Sequence, residues 1–157
     1  MPLPFVMRDA HEGDEGFVFD SWMRGMRKSP ASRGIPGEYF WSGQRDTMHA
    51  LLEHATVVIA CDAQMPNALL YGCVVYGPND EAAALHWVYV KSAFTRMGVA
   101  RALLSLALPP TATKRVCTQA TKDFAWLGPK YGLELVRPKA FLHNLGKGHG
   151  SEAHRAA

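Results

Sequence analysis

The stretch with the most chemical potential is Leu85 to Leu104, LHWVYVKSAFTRMGVARALL. An apolar strand pattern, Leu85 to Val90, runs into a turn holding Arg96 and Gly98, and that turn opens a helix. The first turn of a helix presents N–H groups without intrahelical acceptors, at the positive end of the helix dipole. Gly98 and Ala100 leave those amides unshielded, so a pyrophosphate could sit on them, with Arg96 and Arg101 supplying positive charge. Glycines before helices and arginines in first turns also occur where nothing binds, so spacing alone leaves both readings open. A Rossmann dinucleotide site is disfavoured, because GxGxxG is absent and three hairpin-linked strands precede the turn.

His86 lies in the strand that feeds this turn. Simple alternation puts Val88 and Val90 on its face and Trp87 and Tyr89 on the other. An imidazole titrating near neutrality there would be a candidate general base; the alternative is a half-buried histidine bonded to a backbone group. Glu38, Asp80 and Glu81 read as loop carboxylates, either solvated or acting through water. Arg24, Arg27, Lys28 and Arg33 form a basic stretch around a helix end. It reads as a solvated face with cations at a helix C-terminus, or as a patch for an anionic acceptor or nucleic-acid phosphates. Tyr39-Phe40-Trp41 could stack on a flat substrate or pack as a core or lid.

Cys61, Cys73 and Cys117 are odd in number, form no CxxC, and each sits in an apolar strand-like run. That pattern points to reduced, buried thiols rather than disulfides or a nucleophile. No metal site is read: His11 to Glu15 lacks HExxH spacing, and His49 and His54 are on different helix faces. His149 and His154 fall in a glycine-containing C-terminal segment.

The elements that must position these residues fit in one domain of 157 residues, 48% hydrophobic and 20% charged. A net charge of +3 suits a phosphate-bearing ligand but does not demand nucleic acid. No apolar run approaches the ~20 residues of a membrane span, and the N-terminus lacks a basic segment followed by an apolar core. The expectation is a cytoplasmic protein with one domain over 1–145 and a disordered tail over 146–157. The spacing predicts a strand at Phe5–Met7, a helix from Glu15 to Lys28 preceded by Asp14 as a cap, and a second helix from Gln44 to Ala55. Strands follow at Thr56–Cys61, Leu69–Tyr76 and Leu85–Val90. A helix over Gly98–Leu108 should turn Val99, Ala102, Leu103 and Leu106 inward, and Pro109-Pro110 stops it. A strand at Arg115–Gln119 and a helix at Lys122–Leu127, interrupted at Gly128-Pro129, come next. Leu133–Phe141 reads as a last strand, weakened by Pro138. The order β-α-α-β-β-β-α-β-α-β gives an α/β (α+β layered) fold: a mixed, mostly antiparallel central sheet with helices on both faces.

Val90 to Leu104, together with this element order over roughly residues 5–142, resembles the GNAT (GCN5-related N-acetyltransferase) superfamily. The segment is similar to that family's acetyl-CoA-binding [Q/R]-x-x-G-x-[G/A] motif. Ser21-Trp22, Ala60-Cys61-Asp62 and His86 to Lys91 also resemble small GNAT-like proteins of phages and prophages. The resemblance implies an acetyl-CoA co-substrate and a small-molecule or protein amine acceptor, in a monomer or homodimer. The amides of Met97, Gly98, Val99, Ala100 and Arg101 would hold the pyrophosphate, and Arg96 would be the basic loop residue. Tyr89 and Val90 would pair with the thioester carbonyl and pantetheine, where the central strand splays from the Arg115–Gln119 strand. Thr95 stands where the motif has Gln or Arg. The family's general-acid Tyr falls at Gly128, with Tyr131 the nearest substitute. Three readings follow. One is an N-acetyltransferase working by direct amine attack, with His86 and Tyr131 as candidate catalytic residues. The second is a GNAT-fold binding or regulatory protein without turnover. The third is a phage nucleic-acid-modifying member.

Overall fold

The computed structural model describes residues 5–80 and 82–145. The tail at 146–157, residues 1–4 and the candidate carboxylate Glu81 lie outside the described residues.

The strands are β1 (Phe5–Asp9) and, from continuous apolar runs buried on both faces, β2 (Thr56–Asp62), β3 (Leu70–Tyr76) and β4 (Ala83–Val90). Two short strands complete the set, β5 (Arg115–Cys117) and β6 (Glu134–Leu135). All six form one sheet in chain order. β1 to β4 are antiparallel neighbours, whereas β4–β5 and β5–β6 are parallel. The parallel step from β4 to β5 is made by a crossover helix, as parallel pairing requires. The mixed, mostly antiparallel sheet with helices on both faces is the fold class expected from the sequence.

The helices are α1 (Glu15–Arg27), α2 (Gly37–Leu52), α3 (Val99–Ala107), α4 (Phe124–Tyr131) and a helical segment, α5, over 138–145. α3 covers one face of the sheet, packing Val99, Leu103 and Ala107 against Val74 and Leu85. α1 and α2 cover the other, packing Trp22, Met26, Met48 and Leu51 against Ile59, Val75 and Trp87. These two cores define the two sides of the site below. No described helix is long and apolar enough to cross a membrane.

Several expectations are corrected. α2 starts at Gly37, seven residues before Gln44, so Glu38 and the Tyr39-Phe40-Trp41 cluster are helical. Phe40 is buried while Tyr39 and Trp41 are exposed. Asp14 makes no side-chain cap to α1. Its buried carboxylate instead accepts bonds from Arg8 and from the His11 amide. On α3 the inward stripe is Val99, Leu103, Leu104 and Ala107, and Leu106 faces out. α4 runs through Gly128-Pro129 and ends at Gly132, whose φ of +66° suits a residue without a Cβ. Strand β6 ends at Leu135, and Pro138 opens α5 instead of weakening a strand. Proline's fixed φ fits a first helical position, where its missing N–H costs nothing. All three cysteines are free and buried.

Candidate active site

Pairing between β4 and β5 stops early. Ala83, Ala84 and Leu85 pair with Arg115, Val116 and Cys117, and the Thr118 amide still bonds to Leu85 O at 3.1 Å. Beyond Leu85, β4 runs on for five residues, His86 to Val90, with no β5 partner. The strands therefore splay into a gap open toward the α3 N-terminus.

A β-bulge decides which groups face that gap. Val75 pairs with Trp87 but Tyr76 pairs with Leu85, which leaves His86 as the extra residue. The bulge resets the alternation: His86 and Trp87 both lie on the α1–α2 face, the His86 ring edge-on to Phe141 at 5.1 Å. Val88 and Val90 pack on the α3 side. The expected sharing of a face by His86, Val88 and Val90 is thereby corrected. Lys91 N–H donates to Tyr71 O at 2.9 Å, and Tyr89 is paired with Cys73. The backbone groups of Tyr89 and Lys91 thus serve β3, and those of Val88 and Val90 point across the gap.

The turn after β4 is held from below. Phe94 stacks on buried Tyr71 with ring centroids 4.0 Å apart. Arg96 and Gly98 both adopt left-handed backbone, with φ of +66° and +83°. For Arg96 that conformation costs roughly 1 kcal/mol or more, held by its surroundings. The first intrahelical bond of α3 runs from the Ala102 amide to Gly98 O at 3.0 Å. The N–H groups of Val99, Ala100 and Arg101 therefore have no acceptor within the helix. A Cβ at Gly98 would meet nothing within 4 Å, so the space over this helix end is open. Arg96, Gly98, Ala100 and Arg101 are exposed, Met97 is half-buried, and Val99 is in the core.

A cleft of about 500 Å³ occupies the splay. Val88, Tyr89 and Val90 line it, with Thr95, Ala100 and Leu104 on the α3 side. It continues to the α1 face, where Ser21, Arg24, Gly25 and Lys28 line it, and along the segment from Gln119 to Leu127. The structure thus brings His86, Tyr89, Val90 and Ala100 to one cleft, with the Arg96–Gly98 turn adjoining. Tyr131 is not among the lining residues; it packs half-buried against the α3-side core. At Gly128, where the resemblance leads one to expect a general-acid tyrosine, a Cβ would lie 3.2 Å from Phe124 Cζ. The Phe124 ring fills that space, and it carries no proton to give.

His86 is 1% exposed. Its Nε2 lies 2.6 Å from Gly77 O and its Nδ1 lies 2.7 Å from Thr118 Oγ1. A carbonyl only accepts, so Nε2 carries the proton and Nδ1 accepts from the threonine. Both nitrogens are engaged, and burial lowers the imidazole pKa to about 4. Cys117, which also lines the cleft, has its thiol raised to about 11 by burial.

A second set of side chains was not legible in the sequence. Gln119, 4% exposed at the end of the β5 run, accepts at Oε1 from Trp22 Nε1 (3.1 Å) and Gln44 Nε2 (2.7 Å). The indole can only donate, which fixes the amide's orientation. Its Nε2 then donates to Thr118 O at 3.0 Å and keeps a second N–H. Trp22, Gln44 and Gln119 are separated by 97 and 75 residues across these two bonds, beyond any spacing rule. Among the described residues, no three of His, Cys, Asp or Glu come together in a way that could hold a metal ion.

No family model and no curated protein matches the chain. Among solved structures, it shares its fold with a candidate acetyl transferase from Pyrococcus furiosus. The TM-score is 0.50 and the identity 16%, over 81% of this chain and 91% of that one. It also matches the PaiA N-acetyltransferase from Thermoplasma acidophilum, solved in complex with coenzyme A. There the TM-score is 0.47 and the identity 16%, over 67% and 70% of the two chains. At such identities the likeness is one of fold: a mixed sheet flanked by helices, as in GNAT-like folds.

Proposed function

We propose that this chain is an N-acyltransferase that takes an acetyl group from acetyl-CoA and passes it to an amine by direct attack. The observation that carries the reading is the continuity of the open α3 N-terminus with the β4–β5 cleft. One short path joins an anion site, a row of unpaired backbone groups and a cavity reaching the opposite sheet face. When bound, acetyl-CoA would supply an activated thioester. The amides of Val99 to Arg101 suit its pyrophosphate, with the Arg96 and Arg101 guanidinium groups adding charge. The backbone of Val88 and Val90 suits the pantetheine amides and the thioester carbonyl, and Tyr89 contributes wall rather than backbone.

In this reading His86 is a positioning residue. It ties Thr118 to Gly77 and so holds β5 at the point where it leaves β4. With its one lone pair engaged by Thr118, it takes no proton from an incoming ammonium.

A second reading, the same fold binding its ligand without turnover, draws on the Phe124 ring over Gly128 and on the engaged His86. The two separate cleanly. Thermal unfolding is followed with and without acetyl-CoA, with Gly98→Trp as the blocked control. Ligand at ~100 times its dissociation constant adds about 2.7 kcal/mol, which for a chain of 157 residues is roughly 5–10 °C. A shift lost in the variant supports the donor site; no shift with any acyl-CoA refutes both readings. Thiol release on adding amines then distinguishes enzyme from binder.

A further inference from the structure

The acceptor end of the cleft is basic, and the structure separates the basic stretch of the sequence into two sets. Ser21, Arg24, Gly25 and Lys28 fall at i, i+3, i+4 and i+7, one face of the α1 helix and its C-cap, and that face lines the cleft. Arg27 is turned away: its guanidinium lies 5.1 Å from the Phe40 ring centre and donates to Ile35 O. Arg33 does not line the cleft either. The four cations therefore make no single surface of the kind a nucleic-acid backbone needs.

Arg24 and Lys28 are one helical turn apart, close enough to bracket one group. Arg24 uses Nε on Asp20 O at 3.3 Å, which leaves its terminal nitrogens for a ligand. Among the described residues the ion pair between an arginine or lysine and a carboxylate is that of Arg8 with Asp14, so neither Arg24 nor Lys28 is neutralised. Lys122 stands on the opposite wall, and Asp123 is the carboxylate among the described lining residues. Asp123 is engaged by Trp126 Nε1 at 3.3 Å. α1 lies on the sheet face opposite α3, so these cations flank the exit of the cleft and not the pyrophosphate site.

We propose that the acceptor is an amine that also carries an acidic group, a carboxylate or a phosphate, and that Arg24 and Lys28 bind that group. This rests on the acyltransferase reading and names its acceptor class. A polycationic amine would meet like charge on both walls; an amine bearing an anion would be held by its acidic end, with its nitrogen turned toward the β4–β5 gap.

A matched series tests it: 4-aminobutanoate, butylamine, 1,4-diaminobutane and 2-aminoethyl phosphate, each with saturating acetyl-CoA. Thiol release gives kcat/KM. In parallel, thermal unfolding of the CoA-saturated protein reads binding without turnover. The acid-bearing members should lead the diamine by about tenfold or more. Carboxylate against phosphate shows which acid is used. Arg24→Glu with Lys28→Glu should reverse the order while leaving the shift caused by CoA intact, and Lys28→Gln should reduce the preference without reversing it. No preference for the acid-bearing members in either readout, or a preference unchanged in the double variant, overturns the proposal. Loss of the CoA shift in the wild-type protein refutes the donor reading instead.

Discussion

Acid should weaken this protein through one buried histidine, and the size of the effect follows from its surroundings. His86 is 1% exposed, with its proton on Nε2 directed at Gly77 O and its Nδ1 taken by Thr118. Burial lowers its pKa to about 4, against about 6.5 in the unfolded chain. A folded pKa below the unfolded one means that protons favour unfolding. The stability is fully present above pH ~6.5 and is lost as pH falls from there to the folded value near 4. The gap of about 2.5 units corresponds to roughly 3 kcal/mol in all, of which about 2 kcal/mol is gone between pH 7 and pH 5. Urea unfolding at pH 7, 6 and 5 should lose about 1 M in midpoint at an m-value of ~2 kcal/mol/M. His86→Gln keeps a neutral donor and acceptor but cannot charge. It should cost about 1–2 kcal/mol at pH 7 and show a flatter profile below it. A parallel fall in both proteins, or an NMR titration of His86 near 6.5, would refute the burial argument and return His86 to candidacy as a base.

Other perturbations probe other links. Asp14→Ala leaves the Arg8 guanidinium without its buried partner and should cost about 3 kcal/mol by urea unfolding. Arg8 holds the Asp14 carboxyl below the usual range, so its contribution is full above roughly pH 4 and fades only under stronger acid. That window lies below the His86 window. Gly72→Ala drives a Cβ into Tyr89 O, with Val90 Cα 3.2 Å away. Backbone must part there, so a loss above about 2 kcal/mol is expected, together with a smaller acetyl-CoA shift. Gly98→Ala meets nothing within 4 Å but must hold a φ of +83°. It should cost only about 1 kcal/mol and leave acetyl-CoA binding measurable, unlike Gly98→Trp.

How much of this was legible beforehand depends on the range of the forces involved. The three hairpin strands are written in continuous apolar runs rich in β-branched and aromatic residues, and the Arg96–Gly98 turn announces itself by a glycine before an apolar helix. Both are local, and both are found where the spacing puts them. The errors cluster at prolines and glycines. The second helix, expected from Gln44, starts at Gly37 and runs through Gly43 because Phe40, Met48 and Leu51 bury one face. Pro138 reads as a strand defect, yet it starts a helix. A breaker residue says that a regular pattern changes, not in which direction.

The bulge at His86 is the more consequential omission. Strand alternation assumes one residue per step on both partners, and the sequence of β4 alone cannot show that β3 offers one fewer. The single extra residue turns His86 away from the valines and turns the backbone of Val88 and Val90 into the gap. In the proposed reading the side chain offered as a base serves as a strut, and the backbone groups of two valines face the donor. Thr118 and Gln119 complete the device from the other strand, one tied to His86 and the other to Trp22 and Gln44. The splay is thus fixed at its root: His86 ties Thr118 to β4 where β5 leaves it, and Trp22 and Gln44 hold Gln119 just beyond. Loosening that frame, by His86→Ala for instance, should impair ligand binding at the cleft that His86 helps to line.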